Sequence, residues 1–354
     1  AGSTGNNRHE SLVAESNGEA VGDFLVMRPS GAVQPRFLGY QLRSREVISI
    51  IDGSTFGSKM PRASWDFVGS IPFPLPPVEE QAVISAFLDR ETAKIDGLVE
   101  EQKRLIELLK EKRQAVISQA VTKGMDLNVP MKDSGVEWLG KVPGHWALPP
   151  LYLRYATDLG KMLDASRITG DHLIPYLRNV DVQWDSINLV ELPCMDIEVG
   201  EYPRYTVRDG DLLVCEGGEV GRAAVVQVGQ AVIGFQKALH RLRATSDREY
   251  PRYMFHTFAW AANAGAFAGE GQSTIAHLTG EQLRKYRFPR PPYSEQVEIA
   301  AFLDAELGKL GALRGAVDEG VNLLQERRAA LISAAVTGKI DVRGIAPQPE
   351  GAAA

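Results

Sequence analysis

Cysteine is scarce in this sequence, and its two cysteines are not arranged to hold a metal or a disulfide framework. Cys194 and Cys215 are the only two in 354 residues, and they form no Cys-x-x-Cys spacing. No pair of histidines lies near them, so a zinc site is not predicted. We expect both to be reduced, buried thiols.

Long hydrophobic runs are also lacking. The sequence has no apolar run of 18 residues and no basic segment followed by an apolar leader, which are the patterns of membrane spans and export signals. These absences predict a cytoplasmic protein. The hydrophobic content of 44% is sufficient for two or three globular domains.

The third deficit is positive charge. The formal net charge is -6, which is the wrong sign for a protein that coats nucleic acid through clustered Lys and Arg. Any contact with DNA must therefore be local, or shared with a partner chain.

An internal repeat organises the chain. Residues 76–127 and 291–342 align without a gap and are identical at 23 of 52 positions. Paired residues such as Phe87 with Phe302 and Asp89 with Asp304 share one offset of 215. Chance does not produce this agreement.

Each copy has the pattern of a long helix with a coiled-coil seam, because apolar residues alternate at steps of four and three. These residues are Ile84, Leu88, Ile95, Leu98, Leu105, Leu109 and Val116 in the first copy, and Ile299, Leu303, Leu310, Leu313, Val317, Leu324 and Leu331 in the second. About 44 residues at roughly 1.5 Å each give a helix of about 66 Å. A dimerisation helix or an ordinary bundle would show a similar pattern, but two copies in one chain favour an intramolecular antiparallel pair.

The residues between the helices have the composition of a complete mixed α and β domain. Asp211–Cys215 and Arg222–Gln227 resemble strands, whereas Pro251–Ala264 resembles a helix. Glycines set the turns between short strands. We interpret Gly217-Gly218 as a turn rather than a nucleotide-binding loop, because no helix start or paired acidic residue follows.

Several motifs then occur in an order typical of one family. They are Glu137-Trp-Leu-Gly140, Pro143-Gly-His-Trp146, Tyr205-Thr-Val-Arg-Asp-Gly-Asp211-Leu-Leu, Gly-Glu-Val-Gly-Arg222, Phe288-Pro-Arg-Pro-Pro292-x-x-Glu-Gln296 and Phe302-Leu-Asp304. With the repeat, they make the chain resemble the DNA specificity subunit of Type I restriction-modification systems.

The resemblance implies an α+β fold, in which mixed α/β target recognition domains are joined by two long antiparallel coiled-coil helices. The expected parts are the C-terminal part of the first recognition domain (1–75), the first spacer helix (76–125), a linker (126–143), the second recognition domain (144–290), the second spacer helix (291–338) and a flexible tail (339–354).

The function implied by the resemblance is reading of a bipartite double-stranded DNA site, without catalysis by this chain. Two methyltransferase subunits are expected on the helices, where they would modify adenine with S-adenosylmethionine. The chain itself is expected to bind no cofactor and no metal. A restriction or motor subunit can join such a complex.

The first recognition domain is shorter than the second. Only 75 residues precede Pro76, against about 140 before Pro291, and Pro35-Arg-Phe37 matches Pro251-Arg-Tyr253. The expectation is that the front half is absent, either through truncation or because a separate short chain supplies it.

The resemblance and the turn chemistry suggest DNA contacts in three loops of the second domain. Arginine can fork to guanine and asparagine can pair with adenine, and backbone contacts would position the chain. The predicted DNA-binding residues are Lys161, Arg167, Tyr176, Arg178, Asn179, Glu216, Arg222, Gln272, Ser273, Thr274 and His277, with Lys59 and Arg62 as the counterparts in the first domain. The third loop is expected to precede the last strand.

The helices carry the predicted partner contacts. These are Glu80, Gln81, Leu105, Glu295, Gln296 and Leu324. For the residues at the helix starts, the alternative is stabilisation of the helix, since acidic groups suit the positive end of the helix dipole.

An enzyme with its own site is the alternative function. Arg290-Pro-Pro-Tyr293 resembles the signature of amino-methyltransferases, but arginine cannot accept a hydrogen bond from a target amine. The first repeat reads Leu75-Pro-Pro-Val78 at the same place, so the motif belongs to the junction with the helix. A nuclease site built from Asp211 and Glu216 would need converging oxygen ligands, which spacing alone does not show.

Overall fold

The computed structural model describes residues 13–14, 25–54, 64–126, 128–163, 169–267 and 277–344. The chain forms two compact units: unit 1 contains residues 1–107 and 313–354, and unit 2 contains residues 108–312. Each long helix therefore contributes one segment to each unit, whereas the sequence-based division places boundaries at the helix ends.

The helices are α1 (Pro35–Leu42), α2 (Arg45–Ser54), α3 (Trp65–Val68), α4 (Val78–Lys123), α5 (Tyr202–Tyr205), α6 (Pro251–Asn263), α7 (Gly280–Lys285) and α8 (Tyr293–Val336). The strands are β1 (Met131–Asp133), β2 (Lys141–Pro143), β3 (Tyr155–Leu159), β4 (Leu173–Leu177), β5 (Val182–Gln183), β6 (Ser186–Ile187), β7 (Cys194–Asp196), β8 (Thr206–Val207), β9 (Leu212–Cys215), β10 (Ala223–Val225), β11 (Ile233–Phe235) and β12 (Leu239–Ala244).

The two long helices start and end where the sequence predicts. They have 46 and 44 residues and begin directly after a Pro-Pro pair, which cannot continue a preceding helix. Gly124 and Gly338 follow their C-terminal ends with φ of 75° and 72°. This left-handed conformation stops a helix at little cost only for glycine.

In unit 1, the helices α4 and α8 run antiparallel. Leu88 packs with Ile332 and Val336 in one hydrophobic cluster, and further along α4 the Asp96 carboxylate pairs with Arg328 at 2.8 Å. Because the contacts move backward along α8 as they move forward along α4, the two segments have opposite directions.

The predicted seam is only partly buried. Leu88 and its repeat equivalent Leu303 are fully buried. A second equivalent pair of seam residues, Leu98 and Leu313, is 46% and 47% exposed. The prediction that these two lie in the seam is wrong. Later positions of the same stripes, Leu109 and Val317, are buried at 6% exposure, so the exposure is local to these positions.

Unit 2 contains two four-stranded sheets, with strand orders β10-β9-β12-β3 and β7-β4-β11-β8. Only β4 and β11 pair in parallel. Both sheets contribute to one core, which includes Leu177, Leu213 and Phe235. All four residues of β9 are buried, which explains why that strand reads as a continuous apolar run rather than an alternating one.

The chain enters and leaves this sheet domain side by side. Ala147 and Arg290 exchange two backbone hydrogen bonds of 3.1 and 2.9 Å. Arg290 also lies 3.1 Å from Glu249, so the Arg-Pro-Pro-Tyr motif belongs to the junction with α8, as the repeat predicted.

A buried ion pair fixes this junction. The Arg154 guanidinium and the Glu249 carboxylate are 0% and 1% exposed and are joined at 2.6 Å. Arg154 also donates to the Phe288 carbonyl oxygen at 3.1 Å. Since both charges are removed from water, each depends on the other for compensation.

We therefore predict that Glu249→Ala lowers the free energy of unfolding by about 3–5 kcal/mol, because it leaves the Arg154 charge buried and unpaired. The matched control is Glu281→Ala, since Glu281 is 80% exposed in its pair with Lys285 and should change stability by less than about 1 kcal/mol. Urea unfolding of the two variants measures the difference. Equal midpoints would show that the buried pair does not stabilise the unit.

Candidate nucleic-acid interface

One end of unit 2 is built from five turns that follow or precede strands. We call it the loop end, and it consists of residues 160–163, 178–180, 216–222, 236–238 and 277–278. Backbone hydrogen bonds join all five: Lys161 N to Phe235 O at 2.9 Å, Gln236 N to Leu177 O at 3.0 Å, Glu216 N to Ala238 O at 3.0 Å, and Leu278 N to Glu216 O at 2.8 Å. The three predicted DNA-contacting loops therefore meet at one place, as far as the structure describes them.

Asn179 is the hub of the loop end. Its side-chain amide donates to the carbonyl oxygens of Gly217 at 3.2 Å and Ala238 at 3.4 Å. Its side-chain oxygen accepts a 2.9 Å hydrogen bond from Arg222. The amide thus links three turns, and the groups that would pair with adenine are already engaged inside the protein.

Arg222 is held in the same network. Its guanidinium donates to both the backbone and side-chain oxygens of Asn179 at 2.9 Å, and its side chain is only 13% exposed. This geometry does not favour the predicted base contact by Arg222. The guanidinium is nearly buried, and its hydrogen bonds position the loops instead.

Arg178 points its side chain toward the surface and is 39% exposed. Two of its nitrogens, Nε and Nη2, donate to the Asp181 carboxylate at 2.8 Å. These hydrogen bonds hold the pKa of Asp181 below its usual value. Asp181 therefore binds the guanidinium edge formed by Nε and Nη2. The other edge, formed by Nη1 and Nη2, is directed away from Asp181.

Tyr176 is 5% exposed and packs with Ile174, Met195 and Ile197. Its burial in this cluster supports a role in the core rather than a contact with a base. Sequence spacing did not reveal this, because strand alternation applies to Tyr176 inside β4 but not to Arg178, which follows the end of that strand.

Lys161 pairs with Glu201 at 2.5 Å. Hydrogen bonding from Lys161 lowers the pKa of Glu201, so much of the lysine charge is compensated within the protein. Several other predicted contacts lie outside the described residues: Lys59, Arg62, Arg167, Gln272, Ser273 and Thr274.

His277 and Glu216 lie next to each other at the loop end. A Cβ placed on Gly217 would be 3.2 Å from the His277 ring nitrogen, so a glycine allows the imidazole to approach the turn. His277 is exposed, whereas Glu216 is half-buried. Both remain candidates for contact with a ligand at this surface.

The structure adds three residues that the sequence did not single out. Lys237 is exposed in the turn between β11 and β12, and Val180 and Met162 are 65% and 63% exposed at neighbouring turns. The residue after Lys237, Ala238, has a φ of 107°, a strained value that clusters at functional sites. The sequence feature that could have identified Lys237 is the short Gln-Lys-Ala turn between two apolar strands.

The segment after His277 is a short helix, not the expected strand. Thr279 caps α7 by accepting a hydrogen bond from the Gln282 amide, and the Gln282 side chain returns to the Thr279 amide at 3.0 Å. This capping box satisfies two unpaired donors and starts a helix. His240 Nε2 donates a 2.8 Å hydrogen bond to the Leu278 carbonyl oxygen and fixes the turn before α7.

The predicted partner residues at the helix starts divide into two kinds. Gln81 and Gln296 are both 0% exposed and bond to backbone groups of their own units, so neither amide is accessible to a partner chain. Glu80 and Glu295 are half-buried. Glu295 accepts hydrogen bonds from Trp146 at 3.0 Å and shares one with His145 at 2.9 Å.

Leu105 and Leu324, the apolar partner residues, are half-buried. More exposed apolar residues lie elsewhere on the same helices, at Leu98, Leu108, Leu313 and Leu323. Leu98 with Leu313, and Leu108 with Leu323, differ by the repeat offset of 215. The two helices therefore present the same residue types at equivalent positions.

No group of three or more His, Cys, Asp or Glu in the described residues is placed to hold a metal ion. No helix in that part of the chain is long and apolar enough to cross a membrane. Of the two cysteines, Cys215 is buried as expected, but Cys194 is exposed, because it lies on the opposite face of β7 from the buried Met195.

Comparison with known proteins gives similarities to one kind of protein. Residues 158–309 match the profile described as the Type I restriction modification DNA specificity domain. The chain is 22% identical over 336 residues to the Type I restriction enzyme EcoKI specificity subunit of Escherichia coli K12, covering 92% of this chain and 70% of that protein. This chain is similar to Type I restriction-modification specificity subunits over most of its length.

Other proteins named as specificity subunits are similar to the chain over the same extent. The StySPI specificity subunit of Salmonella potsdam is 21% identical over 347 residues, which cover 92% of this chain and 70% of that one. The crystal structure of the HsdS subunit from Thermoanaerobacter tengcongensis has a TM-score of 0.53 at 19% identity, over 87% of this chain and 71% of its own.

A second solved structure has the same fold. It comes from work on complex assembly and conformational transition of the type I R-M system, with a TM-score of 0.69 at 18% identity, over 86% of this chain and 72% of that chain. These similarities show the predicted fold, a mixture of helices and sheets with two long helices.

The loop end should tolerate very little added volume at one position. A Cβ on Gly160 would lie 2.2 Å from the Gln236 carbonyl oxygen, so we predict that Gly160→Ala destabilises unit 2 by about 1–3 kcal/mol through overpacking. Gly200→Ala is the control, because nothing lies within 4 Å of its Cβ position. If thermal unfolding is the same for both variants, the close approach is not a constraint.

Proposed function

We propose that this chain reads DNA sequence for a Type I restriction-modification complex and performs no chemistry of its own. The observation that supports this most is the loop end, where five turns converge and carry exposed or half-buried polar groups. Turns that project from a rigid sheet domain are suited to entering a DNA groove, since sequence is read at base edges. Similarity to Type I specificity subunits supports the same activity.

Within the loop end, the buried and exposed polar groups take different roles. Asn179 and Arg222 hold three turns in register and do not read bases themselves. Arg178 is the base-reading candidate: its Nε and Nη2 donate to Asp181, which orients the guanidinium. The outer edge, formed by Nη1 and the second proton of Nη2, matches the O6 and N7 acceptors of guanine.

At the loop end, Lys237 is the candidate for contact with a DNA phosphate. Lys237 is exposed and has no salt bridge among the described residues, whereas the Lys161 ammonium is paired with Glu201. A net charge of -6 leaves few such groups. The chain should therefore bind DNA weakly alone and gain phosphate contacts from its partners.

The partners that we propose are two methyltransferase subunits, which would hold S-adenosylmethionine and modify adenine. The support is the equivalent exposed leucines on the two helices, because two identical partner subunits would need two equivalent surfaces. A restriction or motor subunit would join this complex. The second half of the bipartite site would be read by the first recognition domain.

The proposal predicts that Arg178→Ala lowers affinity for the cognate site by about 5- to 150-fold, since a good bidentate contact discriminates by roughly 1–3 kcal/mol. Affinity for unrelated duplex DNA should not change. Arg208→Ala is the control, because Arg208 is exposed in a turn outside the loop end. Selection from a random duplex library with the assembled complex, followed by sequencing, gives the site and its changes. An unaltered preference at every base in the variant would contradict the assignment of Arg178.

A second prediction concerns assembly. Leu98→Asp together with Leu313→Asp should abolish binding of the methyltransferase, and each single variant should bind one subunit instead of two. Both leucines are nearly half exposed, so the fold should survive. The control is Leu189→Asp, which changes an exposed leucine outside the helices. The mass of the purified complex measures the outcome, and a double variant that still carries two partner subunits would refute the proposed surface.

A further inference from the structure

A short hairpin, whose tip residues are Trp184 and Asp185, lies beside the loop end in unit 2. Its strands are β5 and β6. Asp185 has a φ of 61°, a left-handed conformation that aspartate tolerates better than most residues. The Asp185 N–H donates to the Ala223 carbonyl oxygen at 3.2 Å. The tip is therefore attached to β10 directly after the turn 216–222.

The Trp184 side chain contacts the loop end. Its indole N–H donates to Glu219 Oε1 at 2.5 Å. The other carboxylate oxygen of Glu219 lies 3.6 Å from a guanidinium nitrogen of Arg222, and Arg222 donates to Asn179. Trp184 thus joins the hairpin to the polar network of the loop end through Glu219.

The Asp185 side chain contacts the helices. Both of its carboxylate oxygens accept hydrogen bonds from Arg252 on α6, one of them at 2.8 Å. Arg252 also donates to Asp304 on α8 at 2.6–3.0 Å. These three residues all belong to unit 2. A continuous series of hydrogen bonds therefore runs from the hairpin tip to α8.

A buried ring supports both parts of this tip. Phe255 is 5% exposed, and the Arg252 guanidinium lies 4.7 Å from its ring centroid, within the range of a cation–π contact. The Trp184 ring meets Phe255 edge-on, with centroids 6.4 Å apart, which is a favourable aromatic arrangement. The contacts of Trp184 and Asp185 thus share one support.

We propose that Trp184 and Asp185 are positioning residues for DNA reading, which hold the turn 216–222 at a fixed place relative to α6 and α8. This inference rests on the proposed function of the loop end. The single N–H of Trp184 and both oxygens of Asp185 are engaged within the protein, so these groups act through the turn. The backbone bonds of the loop end join turns to one another, whereas this link joins a turn to the helices. Groups that bind a ligand precisely need such support.

Backbone amide exchange in the full chain without DNA measures the positioning. Trp184→Phe keeps a ring but removes the N–H, so the amides of Gly221 and Arg222 in the turn should exchange about two- to tenfold faster. Gly210 and Val226 are hydrogen-bonded at the other end of β9 and β10, and their amides should not change. Faster exchange at all four amides would show a general loosening of the sheet and would overturn the positioning role.

DNA selectivity is the second measurement, taken as the affinity of the assembled complex for its cognate site relative to unrelated duplex DNA. Trp184→Phe should lower this ratio by about two- to tenfold, the effect of one lost hydrogen bond. Asp185→Asn keeps the left-handed backbone and should act in the same direction, because it weakens the link to Arg252. Tyr152→Phe and Asp247→Asn are the controls, since both residues are exposed in unit 2 outside the hairpin and the loop end.

A double variant shows whether Trp184 acts through Glu219. Once Glu219→Ala has removed the acceptor, adding Trp184→Phe should lower selectivity no further, and additive losses would overturn the proposal. If the unchanged complex has no sequence preference, the proposed function fails and this inference fails with it. A clear preference that both hairpin variants retain in full would overturn this inference alone.

Discussion

Two buried glutamines determine how each long helix meets the domain before it. Gln81 accepts a hydrogen bond from Gln34 N and donates to the carbonyls of Ala32 and Pro76 at 2.8–2.9 Å. Gln296 makes the same set with Tyr250 N, Arg248 O and Pro291 O at 2.9–3.0 Å. One amide thus satisfies three backbone groups that would otherwise be buried without partners, at a cost of about 1–3 kcal/mol each. The direction of the helix and the path of the chain before it are fixed by the same side chain.

Two turns later, an aspartate on each helix makes a second connection. The Asp304 carboxylate accepts hydrogen bonds from Arg252 and His256. The Asp89 carboxylate accepts hydrogen bonds from Arg36 and Tyr40. Burial raises the pKa of Asp304, but the hydrogen bonds from His256 and Arg252 outweigh it and lower that pKa to about 2. The carboxylate therefore stays ionised over the whole physiological range. Together with the glutamine, this aspartate connects α4 to α1 and α8 to α6. A DNA-reading domain needs such connections if its turns are to hold a fixed position.

How much the sequence could predict depended on whether a signal was repeated. The long helices were confirmed because the apolar period and the Pro-Pro starts occur twice, and the junction role of Arg290 followed from comparison with Leu75. The pairing of Asn179 with Arg222, 43 residues apart, had no such signal, because side chains brought together by different strands leave no spacing in the sequence. Gln81 and Gln296 were visible as repeated residues, but repetition does not distinguish a buried amide from a surface contact. Their role required the position of the backbone groups around them.

The internal bonding of the loop end changes what base recognition must depend on. Asn179 and Arg222 are the residue types that most readily read adenine and guanine, yet both are used to join turns. A network of this kind is costly if any member is left unsatisfied, so these residues cannot be exchanged freely to read another base. In the proposed function of the loop end, variation in recognised sequence falls to exposed positions that the network carries, such as Arg178, Val180 and His277. The fixed polar network and the variable outer residues are thus separate layers, and a change of specificity can leave the fold of the loop end intact.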